Sequence, residues 1–129
     1  MKNEPKIYAI TLIATDLAKV ETFYRDVFGT SPVYQDEVSR VFKFGETLIN
    51  VLDRSDAVKL FAPASTAEPN FAHHSMMTIQ VEDIDAEAAR LQTLGVELNY
   101  GPINQPWGIR VVTFVDPAGQ LWEFSQPLA

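Results

Sequence analysis

Few side chains in this sequence are equipped for chemistry, and their types restrict what that chemistry can be. There is no cysteine, which removes disulfides, thiolate catalysis and Cys-ligated zinc. Glu123 stands in the run Leu121-Trp122-Glu123-Phe124-Ser125, one carboxylate among apolar strand residues. Burying it unpaired is costly, so it must reach water, a partner or a ligand. Raised by burial, such a group could act as a general base; held in its charged form, it serves as an acceptor. His73-His74 offers two imidazoles, the usual ligands of a divalent ion, next to the start of a strand-like run. If that strand extended back from Met76, His74 would share its face. A bulge or register change could then bring it toward Glu123, whereas a pair of plain loop histidines is the simpler reading. Arg110 can pair with Glu123, bind an anionic group or make a surface salt bridge. Trp107, between Pro106 and Gly108, is a large aromatic in a connecting segment and reads as a stacking surface; Tyr100, Phe114 and Trp122 are further aromatics, the last two reading mainly as core.

The elements that would position these groups follow from periodicity. Val111 to Val115 and Leu121 to Ser125 are β-branched and aromatic runs. Asp116-Pro117-Ala118-Gly119 between them has the residues of a tight turn, so the pair reads as a hairpin. Alternation puts Leu121, Glu123 and Ser125 on one face and Trp122 and Phe124 on the other. From the start of the chain, residues 6–13 form a β-rich run. Asp16 then caps a helix whose Leu17, Val20, Tyr24, Val27 and Phe28 recur at helical spacing up to Gly29. In that helix Tyr24 reads as packing and Arg25 as solvent-facing. Strand candidates follow at 33–35, 40–44 and 47–52. The same order then returns: a strand at 76–81, a helix capped by Asp83 or Asp85 through Ile84, Ala88, Leu91 and Leu94 to Gly95, a short strand at 96–100, and the hairpin. Local landmarks repeat too, Phe28-Gly29 against Leu94-Gly95 and Gly45-Glu46-Thr47-Leu48 against Gly119-Gln120-Leu121-Trp122. Self-similarity at this scale signals a duplicated supersecondary unit. The connector 53–75, with Pro63, Pro69, Asn70 and small polar residues, reads as a loop except around Val58 to Phe61; such a length ties the units together or covers a pocket mouth.

Composition sets the outer bounds. The 129 residues suffice for one domain with a core, 47% hydrophobic and 21% charged as in ordinary globular proteins. A net charge of −7 argues against a nucleic-acid partner, which needs clustered Lys and Arg. Acidity local to a pocket would favour a cationic or neutral ligand; spread over the surface it only confers solubility. No stretch is apolar and long enough to cross a bilayer and no signal-peptide core is present, so a cytoplasmic location without membrane association is expected.

The ordered set Thr15-Asp16-Leu17, Phe23-Tyr24-Arg25-Asp26-Val27-Phe28-Gly29, Val81-Glu82-Asp83-Ile84, Trp107-Gly108-Ile109-Arg110 and Asp116-Pro117-Ala118-Gly119-Gln120-Leu121-Trp122-Glu123 resembles the vicinal oxygen chelate superfamily. That group includes glyoxalase I, extradiol dioxygenases, fosfomycin-resistance thiol transferases and bleomycin-resistance proteins, and the resemblance runs from about Ile7 to Gln126. It implies an α+β fold in which two βαβββ modules, about 6–52 and 76–126 of a single 1–129 domain, form an incomplete eight-stranded barrel around a cavity. The modules pair within one chain or between two subunits.

The resemblance also says where a metal would be held: by one residue on each first strand and one on each last strand. Seven residues before Asp16 and Asp83 stand Ala9 and Met76, neither a ligand for a hard ion; the last-strand positions hold Asn50 and Glu123. One carboxylate and an amide do not retain a catalytic metal, so no metal or other cofactor is expected. The resulting expectation is a metal-independent small-molecule-binding protein, in which Thr11, Asn50, His74, Gln80, Trp107, Arg110 and Glu123 line the ligand site of a homodimer. An antibiotic-like organic compound, a cation among others, would be sequestered without chemistry. The alternative is a glyoxalase-like lyase, isomerase or dioxygenase, using a displaced metal site on His73, His74 and Glu123, or Glu123 as general base. A third possibility is a scaffold whose cavity is filled by its own Phe side chains.

Overall fold

The structure is a computed structural model describing residues 4–68 and 72–129. Pro69 and Asn70 of the connector lie outside the described residues. The chain divides into two compact units, 1–69 and 70–129.

The first unit begins with β1 (Ala9–Ala14), whose apolar residues lead into Asp16. The Asp16 carboxylate accepts the backbone N–H of Lys19 at 3.1 Å, an N-cap that satisfies one orphan donor of helix α1 (Leu17–Phe28). Gly29 ends the helix at φ 66°, where a side chain would be strained, and its N–H closes onto the last carbonyls. Strands β2 (Tyr34–Gln35), β3 (Ser39–Phe44) and β4 (Thr47–Asp53) follow. They assemble as β1-β4-β3-β2, with β1 parallel to β4 and the rest antiparallel.

One face of this sheet carries α1. The Tyr24 ring lies 4.7 Å from Phe42 and 5.8 Å from Phe44, and Phe28 meets Phe44 edge-on at 5.3 Å. Tyr24, Val20, Phe42 and Val51 are fully buried, and each large apolar side chain so buried contributes about 1.5–3 kcal/mol of transfer free energy. Tyr24 is therefore core, as its helical spacing predicts, and Arg25 is exposed. The connector differs from the expected loop in its first third. Residues Arg54–Phe61 form helix α2, capped by Asp53, whose side chain accepts from the Ser55 N–H and hydroxyl. Arg54 ties it down, donating to the Ala67 carbonyl at 2.7 Å. The weak apolar pattern of this helix, which buries only Ala57 among its residues, hid it in the sequence.

The second unit repeats the order. β5 (Met76–Gln80) leads to α3 (Ile84–Thr93), capped by Asp83 through the Ala86 N–H at 3.1 Å. β6 (Leu98–Gln105), β7 (Ile109–Val115) and β8 (Leu121–Pro127) complete a sheet in the order β5-β8-β7-β6, again with one parallel pair, β5 to β8. Ile84, Ala88 and Leu91 of α3 are buried, as are Trp122, Phe114 and Phe124, the last two rings 5.0 Å apart. β6 is longer than the expected 96–100 and runs to Gln105. Its pairing with β7 slips twice, between Leu98 and Tyr100 and between Tyr100 and Ile103, which breaks the alternation that periodicity depends on. Gly101 explains part of this: at φ 87°, a Cβ there would stand 2.4 Å from the Val111 carbonyl oxygen.

The architecture is thus α+β, a duplicated β-α-β-β-β unit whose two four-stranded mixed sheets stay open at their edges.

Candidate functional site

In each unit the helix after the first strand, α1 or α3, packs on one sheet face, and polar groups stand on the opposite one. In the first sheet, Phe42 and Phe44 mark the helix side. Alternation puts Thr11, Asn50 and Val41 on the opposite side, where they stand at one register across β1, β4 and β3. The side-chain carbonyl oxygen of Asn50 is buried and has no hydrogen-bond partner among the described residues. A buried acceptor left unpaired costs about 1–3 kcal/mol, so this oxygen is poised to accept from a donor that arrives.

In the second sheet, Gln126 and Arg110 face α3: Gln126 Oε1 accepts the Ile84 N–H at 2.9 Å, and Arg110 donates to Asp85 at 2.8 Å. Glu123 is on the other face, at one register with Thr78 on β5 and Thr113 on β7. The Thr78 hydroxyl donates to Glu123 Oε1 at 3.0 Å. Asn99 Nδ2 donates to Thr113 Oγ1 at 3.0 Å, and Tyr100 pairs with Thr113 from the other side of the β6 irregularity. A polar row therefore crosses the sheet through Thr78, Glu123, Thr113 and Asn99. One step along, Gln80 pairs with Ser125 on the same face.

The seven expected site residues are thus distributed unevenly. Thr11 and Asn50 come together in the first unit, and Gln80 and Glu123 in the second. Arg110 does not join them. Its register partner is Gln126, not Glu123, and its guanidinium is committed to Asp85 and to Asn104 at 3.0 Å on the helix side. Of the pairings its sequence position allowed, the salt bridge is the one formed. Trp107 sits in the turn between β6 and β7, 68% exposed. His74 does not extend β5 backwards: the strand begins at Met76, and both histidines are exposed in the preceding segment. Among the described residues no three His, Asp or Glu side chains gather as a metal-binding group. Thr78, Thr113 and Asn99 had no individual signal in the sequence. The first two follow from Glu123 once strand register is known, while Asn99 reaches the row only through the slipped pairing of β6.

The turn ahead of Glu123 is built as a rigid support. Asp116 is 4% exposed, and its Oδ1 accepts from the Ala118 and Gln120 N–H groups at 2.8 and 3.0 Å. Its Oδ2 accepts the indole N–H of Trp122 at 2.9 Å. The residue before Glu123 is thereby fixed, and with it the direction of the Glu123 side chain.

Compared with known proteins, residues 6–124 match the model of the Glyoxalase/Bleomycin resistance protein/Dioxygenase superfamily. The chain belongs to that superfamily. Solved structures agree on the fold. A glyoxalase/bleomycin resistance protein/dioxygenase from Nocardioides superposes with a TM-score of 0.86 at 22% identity, covering 99% of this chain and 87% of its own. A glyoxalase-related enzyme from Fulvimarina pelagi gives 0.82 at 21%, over 94% and 87% of the two chains. A lactoylglutathione lyase from Agrobacterium tumefaciens gives 0.73 at 26%, over 97% and 96%. No protein of curated function matches.

The metal that the superfamily's enzymes imply can be tested against the side chains present. At the four positions that the resemblance assigns to ligands stand Ala9, Asn50, Met76 and Glu123. A methyl group, a thioether, an amide and one carboxylate are not a donor set for a hard divalent ion, which takes several oxygen or imidazole ligands. The residues do not fit the group.

Proposed function

We propose that this member of the superfamily is a metal-independent binding protein that sequesters a small organic ligand, of the bleomycin-resistance rather than the metalloenzyme kind, and works as a cytoplasmic homodimer. The observation that carries the reading is the chemistry of the sheet faces opposite α1 and α3. They hold hydrogen-bonding groups without a metal-ligand set: the unpartnered carbonyl oxygen of Asn50 and the Thr78-bound carboxylate of Glu123. Each of these faces, taken by itself, can orient an organic molecule by directed polar contacts among apolar neighbours. No helix among the described residues is long and apolar enough to cross a membrane, which accords with the cytoplasmic part of the proposal.

β1 and β5 are edge strands of their own sheets. A second copy of the chain can cover such edges, which is why the proposal includes a dimer. The test is a thermal-shift screen of the purified protein against organic compounds that include antibiotics and amines. A ligand bound only by the folded state raises Tm with saturation. A saturable rise with at least one compound is expected; a chemically diverse screen without any would overturn the proposal.

A further inference from the structure

The second unit has an unusual distribution of charge. Residues 70–129 contain two arginines, no lysine and seven Asp or Glu, a net of −5 out of the chain's −7. Both arginines are spent on the helix side: Arg90 pairs with Glu87 at 2.7 Å, and Arg110 with Asp85 at 2.8 Å. His73 and His74 are exposed ahead of β5. Ser75 next to them bonds Gln120, which places that segment beside the 116–119 turn at one end of the sheet. Glu123 is different from the other acids. It is half-buried on an interior strand, flanked by β5 and β7, with the exposed Thr78 beside it. Thr78 holds one of its oxygens, and no ion pair reaches it from the described residues.

One of the Glu123 oxygens has the Thr78 hydroxyl as its donor, and the carboxylate has acceptor capacity left for a charged donor. Of the groups that could complete it, a hard metal ion is excluded by the missing co-ligands described above. A protonated amine needs none, since an ammonium has its own N–H donors and forms short charge-assisted bonds to one carboxylate. Tyr100, register partner of Thr113 and so two strands from Glu123, is 47% exposed and puts an aromatic residue on the same sheet.

We infer that Glu123, oriented by Thr78, is the counter-charge for the ammonium group of the ligand, so that the protein selects organic amines over neutral and anionic molecules of the same shape. This rests on the binding reading above and gives it a ligand class. Glu123 makes the contact; Thr78 is a positioning residue.

The experiment uses three probes with one ring system and three charges, 1-naphthylmethylamine, 1-naphthalenemethanol and 1-naphthoate, titrated at pH 7 into the full chain and followed by amide NMR. The amine is expected to bind about ten-fold or more tightly than the alcohol, the scale of a hydrogen bond to a charged group. Its shifts should centre on Thr78, Thr113, Glu123 and Ser125, and the preference should shrink as salt is raised. Glu123→Gln should bring amine and alcohol within about two-fold, chiefly by weakening the amine, with the dispersed spectrum of the folded chain retained. Thr78→Val, which keeps the carboxylate but frees it, should lose part of the preference. An alcohol that binds as well as the amine, or a Glu123→Gln protein that still prefers the amine, would overturn the inference and leave the binding reading standing. Shifts with none of the three at millimolar concentration would also overturn the inference, while the binding reading would still stand or fall on the wider screen above.

Discussion

Asp116 has more structural work than its place in a turn suggests. Its position at the head of Asp-Pro-Ala-Gly was legible from turn chemistry, and its two backbone bonds are those an Asp makes in such a turn. The bond to the Trp122 indole was not legible, because it depends on a tertiary direction that no spacing rule supplies. Asp116→Ala leaves a buried indole N–H and two turn N–H groups without partners. It is expected to cost about 3 kcal/mol, measured as a lowered midpoint in urea unfolding with an unchanged slope. Trp107 is its opposite, an exposed aromatic with no structural duty evident in its burial. If it stacks on the ligand, Trp107→Ala should weaken binding of the naphthyl probes by about 1 kcal/mol and leave Tm in place. An unchanged dissociation constant would take Trp107 out of the site.

At the level of elements, the parts legible in the sequence were those with a local physical cause. Both long helices were visible because Asp16 and Asp83 cap them and apolar residues recur at the turn of the helix; Gly29 and Gly95, at φ 66° and 81°, mark where they stop. The face of Glu123 was visible from alternation alone. The parts that escaped have causes outside the local pattern. Helix α2 buries little and so shows no periodic stripe. β6 slips against β7, and Arg110 turns to the helix side because its strand position matches Gln126. The β6–β7 approach makes a sharp prediction. Gly101→Ala adds a methyl within 2.4 Å of the Val111 oxygen at a backbone angle that L residues avoid, so it should destabilise by several times the cost of an ordinary strand Gly→Ala change, about 3 kcal/mol or more in urea unfolding.

The β2–β3 connection carries its own pH signature. Asp36 accepts from the Val38 N–H at 2.9 Å and the Ser39 hydroxyl at 2.9 Å, and these bonds hold its carboxyl below the ordinary 3.8. A lowered folded value stabilises the protein above the unfolded value, and the contribution disappears as pH falls through the lowered one. The destabilisation caused by Asp36→Ala should therefore be present at pH 6 and vanish on acidification below the ordinary Asp range. A difference between wild type and variant that stays constant to pH 2 would show that these bonds are not the cause.

On the scale of the molecule, a duplicated unit offers two copies of every position, and this chain has used them differently. Where the metalloenzymes of its superfamily are expected to repeat a ligand, the first unit has Asn50 and the second Glu123; where they repeat the other, it has Ala9 and Met76. An amide and a carboxylate give these two positions hydrogen-bonding capacity without the donor set that a hard metal ion takes. The consequence is measurable with protein purified without chelator. At a hundred times its dissociation constant, a metal held by the native state would add about 2.7 kcal/mol, a rise of several degrees in Tm for a chain of this size. Addition of Zn, Ni, Mn, Fe or Co, each at 100 μM, is expected to leave Tm within a degree, and the purified protein should contain far less than one metal per chain. Glu123→Gln separates a weak surface effect from a real centre. A saturable rise that this substitution abolishes would mean that Glu123 ligates a metal with donors supplied from another part of the assembly, and the enzyme reading would replace the binding one. A rise that survives the substitution would place the metal on other residues, with the two exposed histidines the first to replace.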